Sequence, residues 1–163
     1  MLVKGITDED FVNYKVPSMF ICTATCSFKC DRECGRNICQ NSSLARAESI
    51  FVSDDQIIHR YMQNLITHAI VFSGLEPFDQ LCSVMAFITA LRKAGCNDDV
   101  VIYTGYNKDE VWDALHPFFH PNRVPLNNLI IKWGRFIPDQ KPHFDEVLGV
   151  NLASDNQYAE KVS

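Results

Sequence analysis

Five of the chain's seven cysteines fall within twenty residues: Cys22, Cys26, Cys30, Cys34 and Cys39, in the run Cys22 to Asn41. Thiolates this dense are soft ligands, suited to zinc, copper(I) or an iron–sulfur cluster. Cys26, Cys30 and Cys34 are spaced four apart, so in a helix they and Cys22 would share one face. Spacing alone divides the metal readings between structural zinc and iron–sulfur. Zinc usually draws two closely spaced ligand pairs, often from distant parts of a chain, and ligands all on one loop are less typical of it. The plainer alternative is that some of these thiols are inert packing residues. That alternative suits Cys22, at the end of an apolar run, while Cys82 and Cys96 read as a helix-face and a post-helix turn residue. His59, His68, His116, His120 and His143 show no ligand spacing with the cysteines and read as structural.

The whole chain bounds what such a loop serves. Its 163 residues suit one domain, 1–163, with the cysteine loop at 22–41. A formal charge of -5 argues against a general nucleic-acid binder, which would carry a basic face. No apolar run is long enough for a membrane span, and the start lacks the charged-then-apolar pattern of a signal peptide. The expectation is a cytoplasmic protein, where thiols stay reduced and clustered cysteines serve metal or redox chemistry. In a secreted chain the same loop would read as a disulfide knot.

The loop must be positioned by the elements around it. Residues 1–16 read as an edge strand or an arm, and Ser18 to Thr23 as the strand that delivers the cysteines. Ser53 with Gln56 forms a capping-box pattern, and Ile57, Ile58, Tyr61 and Leu65 follow at helical spacing to give one buried face. His68 to Phe72 reads as a strand buried on both faces, and a helix follows from about Phe78 to Lys93, with Gly95 at its C-terminal cap. Val100 to Tyr103 is a third strand. Asn107 with Glu110 starts another helix, Leu129 to Trp133 is a fourth strand, and Val147 to Leu152 a candidate fifth. Alternating strands and helices predict a parallel sheet. The expected fold is α/β, an open, partial β/α barrel of about five mostly parallel strands with flanking helices. The cysteine loop, Ser73–Pro77, Thr104–Tyr106, Gly134–Phe136 and Ala153–Gln157 then meet at the strand ends, where sites of such folds assemble.

These five segments, in this order, resemble the radical S-adenosylmethionine (SAM) superfamily, and most closely the activating proteins of anaerobic ribonucleotide reductase. Thr25-Cys26-Ser-Phe-Lys-Cys30 with Cys39-Gln40-Asn41 resembles their Gly-Cys-x3-Cys-x2-Cys-Tyr-Asn loop. Ser73-Gly74-Leu75-Glu76-Pro77 resembles Ser-Gly-Gly-Glu/Asp-Pro, and Tyr103-Thr104-Gly105-Tyr106 resembles Trp-Thr-Gly-Tyr. Gly134-Arg135-Phe136 stands at their Asp-Gly-x-Phe turn, and Ala153–Gln157 is similar to Gly-Ser-x-Asn-Gln. The chain departs from the pattern in three places. Eight residues, Asp31 to Ile38, separate the second and third matched cysteines where the family has two, Leu75 replaces a glycine, and Lys132-Trp133 precedes the last turn.

The resemblance implies a 4Fe-4S cluster on Cys26, Cys30 and Cys39, with Cys34 as the alternative third ligand. It also implies SAM on the open iron, with Glu76 facing the SAM ammonium and Asn41, Ser73, Gly74, Thr104, Gly105 and Asn156 completing the cofactor site. The implied activity is reductive cleavage of SAM to a 5′-deoxyadenosyl radical. The implied partner is a glycyl-radical enzyme such as anaerobic ribonucleotide reductase, with reduced flavodoxin or ferredoxin as electron donor. Two alternatives stand beside it: a radical SAM enzyme acting on a small molecule or nucleotide, and a non-catalytic zinc or iron–sulfur module whose SAM pocket Leu75 closes.

Overall fold

The computed structural model describes residues 1–163. Four strands form a parallel core: β2 (Ser18–Thr23), β4 (Ala69–Gly74), β5 (Asp99–Tyr103) and β6 (Leu129–Trp133). Three antiparallel strands extend it: β1 (Leu2–Asp10) beside β2, β3 (Ile50–Phe51) beside β1, and β9 (Tyr158–Lys161) beside β6. The seven-stranded order is therefore β3-β1-β2-β4-β5-β6-β9, and β7 (His143–Asp145) and β8 (Val150–Leu152) form a separate hairpin.

Strict alternation along the parallel strands gives the sheet two apolar faces. Met19, Ile21, Ile70, Phe72, Val100, Ile102, Leu129, Ile131 and Trp133 point into one core. There they meet α3 (Asp54–Gln63), α4 (Leu81–Lys93) and α5 (Lys108–Leu115), with Phe72 edge-on to Phe87 at 5.4 Å. The intervening residues Ala69, Val71, Val101 and Ile130 point the other way, against Tyr14, Leu148 and Leu152. Phe20, Cys22, Ser73, Tyr103 and Lys132 continue this second face toward the carboxyl ends of the strands. That parity places the site, because the apolar layer ends where the polar residues begin.

Both capping boxes form, Ser53 with Gln56 and Asn107 with Glu110. Several expectations are corrected. The first strand lies one place in from the edge, because β3 pairs outside it. Leu65 falls beyond the end of α3 and is 89% exposed. The expected Phe78–Lys93 helix opens with a 3-10 turn, Pro77–Gln80, and becomes α-helical at Leu81. The Val147–Leu152 segment contributes to the hairpin, and Tyr158–Lys161 takes the place beside β6. The cysteine loop is not one helix: only α1 (Lys29–Cys34) is helical, entered through Phe28 at φ 53° and left through Gly35 at φ 68°.

Candidate functional site

A cavity of about 500 Å³ lies across the carboxyl ends of β2, β4, β5 and β6, within the size range of small-molecule sites. Cys26, Cys30, Cys39, Asn41, Ser73, Gly74, Glu76, Thr104 and Gly105 all border it, as does Cys22. Cys34 is exposed and is not part of the lining. Asn156 also lies outside the lining. Its Nδ2 donates to the Arg135 carbonyl at 2.9 Å, so the side chain braces the turn after β6, and its buried Oδ1 has no partner.

The cysteine loop is tied to the segment after β4 by bonds no local pattern announces. The Glu76 N–H donates to the Thr25 carbonyl at 2.8 Å, and the Ala24 N–H donates to Gln80 Oε1 at 3.0 Å. The Asp79 carboxylate accepts from the Ser27 N–H and from the Tyr106 hydroxyl, the latter at 2.7 Å. Asn41 Nδ2 donates to the Gly74 carbonyl at 2.7 Å and fastens the far end of the loop. Gly74 sits at φ 85°, and a Cβ there would stand 3.1 Å from the Cys22 Cα and Cβ. A side chain at that position would strain the backbone and crowd Cys22 and Leu44.

Burial governs the thiols. It pushes Cys26 up to about 11, outweighing the Phe28 N–H that donates to its sulfur at 3.2 Å. Burial also raises Cys30, with neighbouring Cys39 adding to the shift. Without a metal these sulfurs hold their protons, and ligation must release them. No three His, Cys, Asp or Glu side chains converge as a single-ion site. Cys26, Cys30 and Cys39 border one cavity, and thiolates are the donors that iron–sulfur clusters take.

Glu76 is held in the wall by three hydrogen bonds. Its Oε1 accepts from the Thr104 hydroxyl at 2.7 Å and the Phe78 N–H at 3.0 Å, and its Oε2 from the Gly105 N–H at 2.8 Å. Burial nonetheless raises its carboxyl above the ordinary range, with the three donors pulling back. A carboxylate has about four acceptor sites, so roughly one remains for a ligand. Leu75, beside it, is buried and lines the cavity.

Lys132 was visible in the sequence only as a lone charge in an apolar strand. The structure buries it in the cavity wall, where Nζ donates to the carbonyls of Gly134 at 2.6 Å and Thr104 at 3.5 Å. Desolvation lowers it to about 8, with Glu76 opposing the shift. The folded protein thus gives up this proton before the unfolded chain does, and stability rises with pH between about 8 and the ordinary lysine value of 10.5. Lys132→Met is expected to stabilise the fold at neutral pH by up to about 3 kcal/mol and to remove that slope. Gly134 O keeps the Gln157 amide as a donor at 3.2 Å. Urea unfolding at pH 7 and pH 10 checks this, and a destabilised Lys132→Met protein at pH 7 would contradict it.

A charged cluster surrounds Arg135, which lines the cavity. Arg135 reaches both Glu110 oxygens, at 2.9 and 2.7 Å, and Glu33 at 3.2 Å, while Lys29 pairs with Glu110. Burial of Glu110 is outweighed by Lys29, the Asn107 N–H and Arg135, which hold its carboxyl below the ordinary range. These bonds link α1, α5 and the turn after β6.

Comparison with known proteins gives one match. The model of a family described as "4Fe-4S single cluster domain" covers residues 18–137, well over half of the chain. No curated protein and no solved structure matches. No helix is long and apolar enough to cross a membrane.

Proposed function

Because this chain belongs to the 4Fe-4S single cluster domain family, we propose that its cavity pairs that cluster with SAM and that the protein cleaves SAM reductively. One observation carries the proposal: Cys26, Cys30, Cys39 and the buried Glu76 border a single cavity at the ends of four parallel strands. In this reading the sheet is the open, partial barrel of radical SAM proteins, and Cys26, Cys30 and Cys39 hold three irons. A bound, reduced cluster supplies one electron, which splits the sulfonium C5′–S bond into methionine and a 5′-deoxyadenosyl radical.

The chain's own residues bind and orient. The free acceptor site of Glu76 takes the SAM ammonium, a charge-assisted hydrogen bond in a desolvated wall. Asn41 and Ser73 offer hydrogen-bonding groups along the same wall, Thr104 and Gly105 hold Glu76 in place, the Gly74 carbonyl holds Asn41, and Asn156 holds the Gly134–Arg135 turn that borders it. Phe20, Leu44 and Leu75 give the cavity apolar lining that would limit water around a bound group. A 5′-deoxyadenosyl radical formed there would take a hydrogen atom from its target, leaving 5′-deoxyadenosine and a substrate radical. The target we propose is a glycine of a partner glycyl-radical enzyme such as anaerobic ribonucleotide reductase, with reduced flavodoxin or ferredoxin as electron source. One observation favours a small anionic substrate instead: Lys132, a buried ammonium in the wall with only carbonyls as acceptors.

Equilibrium dialysis of the anaerobic, cluster-loaded protein against SAM tests the pocket. Saturable binding of one SAM, weakened by Glu76→Gln, is expected. Absence of SAM binding with the cluster intact would leave a cluster-binding module whose pocket Leu75 fills.

A further inference from the structure

We propose that Asp31 is the positioning residue that folds the eight-residue excursion between Cys30 and Cys39, returning Cys39 to the cavity and leaving Cys34 outside it. The proposal rests on the reading of Cys39 as a cluster ligand. It gives the long segment a physical role.

Helix α1 carries Cys30 and Cys34 one turn apart and ends at Gly35, whose φ of 68° reverses the chain. The returning segment pairs with no strand of the sheet. Asp31 holds its backbone: Oδ1 accepts from the Ile38 N–H and from the Cys39 N–H, each at 2.8 Å, while an exposed Arg36–Asp139 pair at 3.4 Å is its other tie. Asp31 is bonded directly to Cys30, so the carboxylate forms a short bridge from one cysteine to the next. Its charge strengthens both bonds. The next turn is then set, with the Ser42 N–H donating to the Cys39 carbonyl at 3.3 Å and Asn41 reaching Gly74.

The outcome is selective. Cys39 is half-buried and borders the cavity, as Cys30 does. Cys34, one turn further along α1, is exposed and borders no part of the cavity. A two-residue spacer limits where its second cysteine can lie by length alone. An eight-residue one leaves many arrangements open, and the Asp31 bridge selects one. Without those two bonds, Cys34 and Cys39 compete for the same iron.

Chelator-driven loss of the cluster from anaerobically loaded protein tests this, with absorption and electron paramagnetic resonance spectra taken before and after. Asp31→Ala is expected to lose its cluster about tenfold faster than the unaltered protein, in line with removal of a partner that orients a ligand. Asp31→Asn, which keeps an oxygen acceptor, should restore most of the difference. The cluster that Asp31→Ala still retains should change spectrum when Cys34→Ala is added. Cys34→Ala in the unaltered background should change nothing. Equal loss rates in Asp31→Ala and the unaltered protein, while Cys39→Ala still strips the cluster, would overturn the role of Asp31 alone. A cluster that survives Cys39→Ala and fails in Cys34→Ala would instead overturn the ligand reading beneath it.

Discussion

Cys39→Ala is expected to empty the cysteine loop of its cluster, as are Cys26→Ala and Cys30→Ala, whereas Cys34→Ala leaves iron and sulfide content unchanged. The family carries one cluster of four irons and four sulfides, so the three damaging changes should leave less than about one iron per chain. The contrast follows from placement. Cys26 leaves β2 through the short loop held by Asp79 and Gln80, Cys30 faces the cavity from α1, and Cys39 returns under Asp31. Exposed Cys34 borders no part of that cavity. Iron and acid-labile sulfide assays on the four anaerobically reconstituted variants read the result directly. A Cys34→Ala protein that fails to hold iron would contradict the assignment.

Glu76→Ala is expected to have the next largest effect, on stability as well as on SAM binding. The side chain satisfies two buried donors, from Thr104 and Phe78, and a half-buried one from Gly105. Leaving a buried donor unmet costs about 1–3 kcal/mol, so the alanine change should destabilise the fold by at least about 2 kcal/mol. Glu76→Gln keeps the shape but turns an NH2 toward a donor, and should cost less. Folding raises this carboxyl above its ordinary value, so the unfolded chain loses its proton first as pH rises. The contribution to stability is therefore present below the ordinary glutamate range and is lost as pH rises through the folded value. Urea unfolding across pH 4 to 8 should show a shallower fall in Glu76→Gln than in the unaltered protein. Identical slopes would mean that the site leaves the carboxylate solvated.

Much of this architecture is legible in the sequence because its signals are local. The apolar runs that become β2, β4, β5 and β6 and the capping boxes at Ser53 and Asn107 each lie within a few adjacent residues. The final strand was hidden because Tyr158–Lys161 buries only Ala159 and alternates with polar residues. Leu65 continues the helical period of Ile57, Ile58 and Tyr61, but Asn64, in extended conformation, ends α3 before it. The motif residues at the strand ends could be picked out one at a time. The bonds that assemble them could not, since Ser27 meets Asp79 across 52 residues and Glu76 meets Thr104 across 28. Lys132 shows the same limit. A lysine within Leu-Ile-Ile-Lys-Trp signals something unusual, yet its burial and its Thr104 carbonyl partner depend on how β6 pairs with β5.

The central claim, that this cluster-binding chain cleaves SAM, is tested most directly by one assay. The anaerobically reconstituted protein is reduced with dithionite, given SAM, and followed for 5′-deoxyadenosine and methionine by chromatography. The account predicts both products in equal amounts, with none formed by Cys26→Ala, Cys30→Ala or Cys39→Ala. A protein that holds its full cluster, takes up the electron and leaves SAM intact would contradict it.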